Sequence, residues 1–176
     1  MLEAVDGDTE KARRDRAILR LLFDLALRRE EVAALDVQDL DLEAGTIAVM
    51  GKGRTQKVSL TLPPETVEAI QAWLEVRGVD PGPLFVSLHR GRKGITRLTG
   101  TSIYRMIRSL GDQVGIKARP HGLRHAAITA ALDLTDGNVR MVQRFSRHRD
   151  IKVLMVYDDN LADMGGKCAK LVAAGV

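Results

Sequence analysis

Residues 46–62 read Thr-Ile-Ala-Val-Met-Gly-Lys-Gly-Arg-Thr-Gln-Lys-Val-Ser-Leu-Thr-Leu, two strand-like runs on either side of a glycine-flanked lysine. Thr46–Met50 is a β-branched run, residues 51–56 supply turn formers, and residues 57–62 run back. That is a hairpin, and the chain on either side of it is patterned for helices. Upstream, Ala17, Ile18, Leu21, Leu22, Leu25 and Ala26 recur at helical spacing, from a cap at Thr9 or a neighbour to about Leu27. Arg13, Arg16, Arg20 and Asp24 fall on the other side. A short helix over 30–35 and an acidic, turn-like 36–44 lead into the hairpin.

Downstream, Pro63 and Pro64 stop the strand and open a helix over 65–77, with Val67, Ile70, Trp73 and Leu74 inward. A short strand over 84–87 and a basic, glycine-broken connection over 89–97 follow. Further helices are expected from Thr99 or Thr101 to about 114, and from 120 or 121 to 134. Another runs from a capping Asp136 to about 144, and a short one over 150–158. Gly165-Gly166 breaks the chain before an amphipathic 167–174. The expected class is mainly α with one small antiparallel β-sheet (α+β).

Composition narrows the function. With 176 residues the chain can bury a proper core, and 45% hydrophobic with 28% charged residues describes an ordinary globule. Aromatics at 3% exclude base stacking on aromatic platforms as a main binding mode. The net charge of +4, with arginine-rich stretches at 13–16, 90–97, 105–108 and 140–149, favours a polyanionic partner. Apolar stretches such as 21–23 and 126–132 fall far short of a membrane span. The acidic first nine residues lack the basic-then-apolar order of a secretory signal. The lone Cys168 has no partner for an internal disulfide and does not make a zinc-thiolate set. A soluble cytoplasmic protein with no membrane partner is expected.

Six residues carry potential chemistry: Arg28, Lys52, His121, Arg124, His148 and Tyr157. Each alone has a bland reading. His121 and Arg124 lie three apart on one helix face, where imidazole and guanidinium suit a phosphate but equally make an ordinary basic helix start. Arg28 and Glu31 form an i,i+3 pair worth only about 0.2–0.5 kcal/mol on a solvated surface. Lys52 sits between glycines, as lysines on exposed hairpin tips do. Tyr157 has a phenol of pKa near about 10, a poor nucleophile unless cations favour the phenolate. Taken together they supply a hydroxyl to attack phosphorus, two guanidiniums to hold its oxygens, and a lysine and two imidazoles to move protons. No metal-ligand cluster accompanies them, and the set suits metal-free phosphoryl transfer on DNA.

The ordered set Arg28-Arg29-Glu30-Glu31, Gly51-Lys52-Gly53, His121-Gly122-Leu123-Arg124-His125, His148 and Tyr157 resembles the catalytic domain of tyrosine recombinases, the phage integrases. Residues 26–62 look like the first arginine box and hairpin of that family, and 121–157 like the second box. The resemblance implies that fold and a DNA strand transferase needing no cofactor. It implies that Arg28 and Arg124 bind the scissile phosphate's non-bridging oxygens. His121 would take part in proton transfer, Lys52 would protonate the departing 5′ oxygen, and His148 would align the phosphate. Tyr157 would form a 3′-phosphotyrosyl link, with Glu31 standing behind Arg28. Lys52, Arg54, Arg147 and Arg149 are expected DNA contacts, double-stranded DNA the partner, and a tetramer on DNA the working assembly.

By the same resemblance, residues 1–160 form the catalytic domain, and 161–176 a tail that docks on a neighbouring protomer. The N-terminal DNA-clamping domain usual in the family is expected to be absent. The implied function is site-specific recombination in integration or excision of a mobile element. A catalytically inactive DNA-binding module of the same fold, a type IB topoisomerase-like enzyme and a helix-turn-helix regulator are the alternatives. Two departures from the family pattern are the charged Arg29 after Arg28 and Ser146-Arg147 before His148.

Overall fold

A computed structural model describes residues 1–2, 4–5, 7–88, 96–155 and 164–174. It comprises two compact units, Met1–Arg124 and His125–Val176.

The first unit begins with α1, Glu10–Asp24, capped as expected by Thr9, whose Oγ1 accepts the Ala12 N–H at 3.1 Å. Ala17, Ile18, Leu21 and Leu22 form its buried stripe. The arginine cluster contributes something less expected: Arg14 and Asp15 are buried too. The Asp15 carboxylate accepts from Arg14 at 2.8 Å and from Lys11 at 2.7 Å, and Arg14 also donates to the Val86 carbonyl. A buried charge is tolerated because every side of it is answered by a partner.

The first helix stops at Asp24, four residues before Arg28. Leu25, Ala26 and Leu27 form a buried connection, and Arg28 opens α2, Arg29–Ala33. Arg28 is therefore the N-cap of a second helix and not the end of the first.

The acidic segment holds a single 3₁₀ turn, Val37–Asp39, and a two-residue strand, β1, Leu40–Asp41. β2, Thr46–Met50, and β3, Lys57–Thr61, are the hairpin. The sheet order is β1-β2-β3, all antiparallel, with Ile47 opposite both Leu40 and Leu60, and Val49 opposite Val58. Ile47 and Val49 point into the core while Met50 emerges at the open end, the alternation of a half-buried strand.

Pro63 precedes α3, Pro64–Arg77, which packs against α1. Its inner face is Thr66, Ala69, Ile70, Trp73 and Leu74; Val67 is only half-buried. The Trp73 indole N–H donates to the Leu84 carbonyl at 2.8 Å, and its ring stacks on Phe85 at 6.4 Å. The expected strand over 84–87 reduces to isolated bridges, Asp36 with Pro83 and Val86 with Arg97. α4, Gly100–Gln113, is capped by Thr99 and packs against α2.

Helix α5, Pro120–Leu134, spans the boundary between the two units. In the second unit α6, Val139–Ser146, is capped by Asn138, whose Oδ1 accepts the Met141 N–H at 3.1 Å. Asp136, expected to cap it, instead takes a left-handed turn conformation with Gly137. α7 is Lys152–Met155 and α8 Met164–Ala174. Gly165 and Gly166 lie inside the first turn of α8 and do not break it. Among the described residues, no helix is long and apolar enough to cross a membrane. Mainly helical, with one small antiparallel sheet, the chain has the fold class its sequence implies.

Candidate functional site

The open end of the first unit holds a cleft of about 710 Å³. It is built from four separated segments: the N-terminus of α2, the β2–β3 hairpin, α4 and the start of α5. Arg28, Lys52, His121 and Arg124 all line it, although 96 positions separate the first from the last. Four of the six sequence candidates therefore meet in one place.

The turn before α2 is built to present its arginines. Ala26 has φ of +46°, a left-handed conformation costly for a residue with a Cβ. The Ala26 carbonyl accepts a hydrogen bond from the Arg124 guanidinium. Arg124 is itself buried, so this bond ties α5 to the α1–α2 turn. Five residues after Ala26, Glu31, also buried, accepts the Arg28 main-chain N–H with Oε2 and the Arg28 guanidinium with Oε1, both at 2.8 Å. Arg28 remains about one-third exposed (32%), open to a ligand on the side away from Glu31. What looked in sequence like a solvated i,i+3 pair is a half-buried, charge-assisted one.

Lys52 is at the exposed tip of the hairpin. Arg54 N–H donates to the Gly51 carbonyl at 3.1 Å, and Gly53 takes a φ of +71°, so the tip closes as a tight turn. The Arg54 side chain folds back over Gly51, where a Cβ would stand 3.0 Å from Arg54 Cδ. This leaves Lys52, beside Met50 and Gly51, on the cleft wall. His121 is exposed in the first turn of α5, directly after the buried Pro120.

Sequence reasoning gave no site role to four lining residues with polar side chains: Arg29, Glu30, Tyr104 and Arg119. Arg29 and Glu30 stood only as members of the Arg28–Glu31 motif, Arg29 also as a departure within it. Glu30, exposed, accepts from the Arg29 guanidinium at 2.8 and 2.7 Å. Its carboxylate lies against Gly100, where a Cβ would come within 2.4 Å of it. Nothing in the local pattern marks Tyr104 or Arg119.

His148 belongs to the second unit, where it is half-buried and its carbonyl accepts from the Gln143 amide at 3.3 Å. Arg147 ends α6 with φ of +57°, and Arg149 is exposed. Tyr157 lies outside the described residues.

The sequence profile of the phage integrase family matches residues 1–163. The chain belongs to the phage integrase family. A tyrosine recombinase of Synechocystis sp. is 43% identical over 160 residues, covering 89% of this chain and 51% of that protein. The chain thus spans about half the length of the curated relatives it matches. The crystal structure of XerA recombinase superposes with a TM-score of 0.75 at 27% identity, over 94% of this chain and 60% of that one. The Tn1549 transposon integrase, solved in complex with transposon right end DNA, shares the fold at TM-score 0.76 and 19% identity, over 98% of this chain and 62% of that one. The architecture is that of family catalytic domains.

Proposed function

We propose that this chain is the catalytic part of a site-specific DNA recombinase, cutting and rejoining strands through a 3′-phosphotyrosyl intermediate. The observation that carries this reading is the convergence of Arg28, Lys52, His121 and Arg124 on one cleft. The kinship with tyrosine recombinases and the DNA-bound state of a structural neighbour support it.

The scissile phosphodiester sits between Arg28 and Arg124, whose guanidiniums take its non-bridging oxygens. As Tyr157 attacks, those oxygens gain charge in the pentacoordinate transition state, and two fixed cations stabilise it more than the ground state. The phenolic oxygen bonds to phosphorus and its proton passes to His121. The bond from phosphorus to the 5′ oxygen breaks, and Lys52 protonates that oxygen, releasing a 5′-hydroxyl. His148 aligns the phosphate. The ester energy is retained in the phosphotyrosine, so a 5′-hydroxyl from another strand can reverse the step without nucleotide hydrolysis. Arg54, Arg147 and Arg149 contact the flanking duplex.

Residues 1–160 form the catalytic domain, and 161–176 dock on a neighbouring protomer in a tetramer that holds two duplexes. The setting is integration or excision of a mobile element. A duplex whose scissile 5′ oxygen is replaced by sulfur tests the role of Lys52, because a thiolate leaves without protonation. Lys52→Ala should lose at least about tenfold in cleavage rate on the oxygen substrate and recover on the sulfur one, a tenfold change being about 1.4 kcal/mol of barrier. Equal loss on both substrates would remove Lys52 from the proton-transfer role.

A further inference from the structure

The cleft lining carries more positive charge than one phosphate can use. Arg28, Arg29, Lys52, Arg119 and Arg124 face two carboxylates, Glu30 and Glu31, so the lining has a net charge of +3 with His121 neutral. The whole chain has +4. A scissile phosphodiester brings a single negative charge, and among these five cations the proposed chemistry assigns roles to Arg28, Lys52 and Arg124 alone. Arg29 and Arg119 are left over.

Their environments differ from those of the catalytic arginines. Arg28 is held by the buried Glu31, and Arg124 by the Ala26 carbonyl. Arg119 is exposed on the cleft wall immediately before Pro120; its carbonyl accepts the Leu123 N–H at 3.0 Å, while its guanidinium makes no hydrogen bond or ion pair among the described residues. Arg29 leans on Glu30, whose side chain is 69% exposed, and both of its bonds go to the same carboxylate oxygen. Such an exposed pair is worth little and is readily exchanged for a better anion. At about 710 Å³ the cleft also has the size of sites that enclose a whole small ligand, well beyond a single phosphate.

From these observations, and resting on the reading of the cleft as a DNA site, we infer that Arg119 and Arg29 bind phosphates flanking the scissile one. The cleft thus grips a run of backbone. Arg119 is open to its phosphate from the outset. Arg29 reaches its own by leaving Glu30, so Glu30 acts as a stand-in anion that incoming DNA displaces. Arginine is suited to this, since its planar fork matches two phosphate oxygens. Registering the strand at neighbouring phosphates fixes which phosphorus meets Tyr157, as backbone contacts set register without reading sequence.

The test is the salt dependence of binding to a duplex of fixed length, measured for the unaltered chain, Arg119→Gln, Arg29→Gln and Glu30→Gln. Each phosphate contact adds about 0.9 to the steepness of log K against log salt. Arg119→Gln and Arg29→Gln should each flatten the slope by about one unit. Glu30→Gln should tighten binding several-fold at low salt, because the competing carboxylate is gone. Melting temperatures of these exposed-site variants confirm that they fold. If the unaltered chain shows no salt-dependent binding, the DNA reading itself fails. If it binds, yet the slopes of both arginine variants match its own, the flanking-phosphate role is wrong while the DNA reading stands. Unchanged or weaker binding by Glu30→Gln overturns the stand-in role of Glu30.

Discussion

Glu31 accepts the Arg28 main-chain N–H through one carboxylate oxygen and the Arg28 guanidinium through the other, so a single buried side chain both starts α2 and aims a cation. Removing it has two separable consequences. Glu31→Ala loses the helix-start bond, costing about 0.5–2 kcal/mol of stability by analogy with other N-terminal capping losses. It also frees the Arg28 side chain to rotate away from the phosphate, which should slow cleavage about tenfold or more even at temperatures where the variant is fully folded. Urea unfolding reads the first effect, and single-turnover cleavage the second. Glu31→Gln, which keeps the shape and one acceptor, should fall between the two. A Glu31→Ala chain that cleaves at the unaltered rate would show that Arg28 does not depend on its partner. The i,i+3 spacing of this pair was legible in the sequence. Its weight was not, because burial depends on the core that closes over residue 31. Ala26 is a similar case: its left-handed turn, needed to turn a carbonyl toward Arg124, has no signature in an alanine.

At the scale of elements, Gly111 decides how α5 begins. A Cβ there would meet Ala118 Cβ at 2.6 Å, the Ile116 carbonyl at 2.7 Å and Ala118 N at 2.9 Å. The segment 116–118 therefore crosses α4 at a distance that only glycine permits, and it delivers Arg119, Pro120 and His121 to the cleft. Two of those clashes are with backbone, which cannot swing aside as a flexible side-chain end can. Gly111→Ala is expected to destabilise by about 1–3 kcal/mol, as overpacking does. It should also weaken DNA binding in the variant that remains folded. Calorimetric melting and a binding titration check the two parts; an unperturbed melting temperature would contradict the close crossing. Elements with strong periodicity, such as α1, α3 and the hairpin, stood out in the sequence because their buried faces repeat. β1 did not, since two residues pairing with β2 leave no alternation to detect. The start of α6 was misjudged by two residues, because Asp136 and Asn138 are both good caps and only the turn through Gly137 selects the second. Gly165-Gly166 suggested a break, yet glycine in a first helical turn costs little of the ladder it would disrupt mid-helix.

For the whole molecule, the ordered spread of motifs from Arg28 to Tyr157 carried more information than any single element. The motif order identified the family, and the fold then brought four of its six chemical groups to one cleft. The surplus positive charge there was invisible in sequence, because Arg29 and Arg119 become neighbours of the same cavity only through folding. The central claim is that Tyr157 attacks DNA. Nicked duplexes of randomised sequence test it directly, since cleavage near a nick releases the short downstream piece and strands the covalent intermediate. The unaltered chain and Tyr157→Phe would be incubated with them at low salt and resolved on a denaturing gel. A slower-migrating protein–DNA species in the unaltered chain, absent from Tyr157→Phe although both bind DNA, is the predicted result. The same species in both chains, or in neither while both bind, would contradict the account.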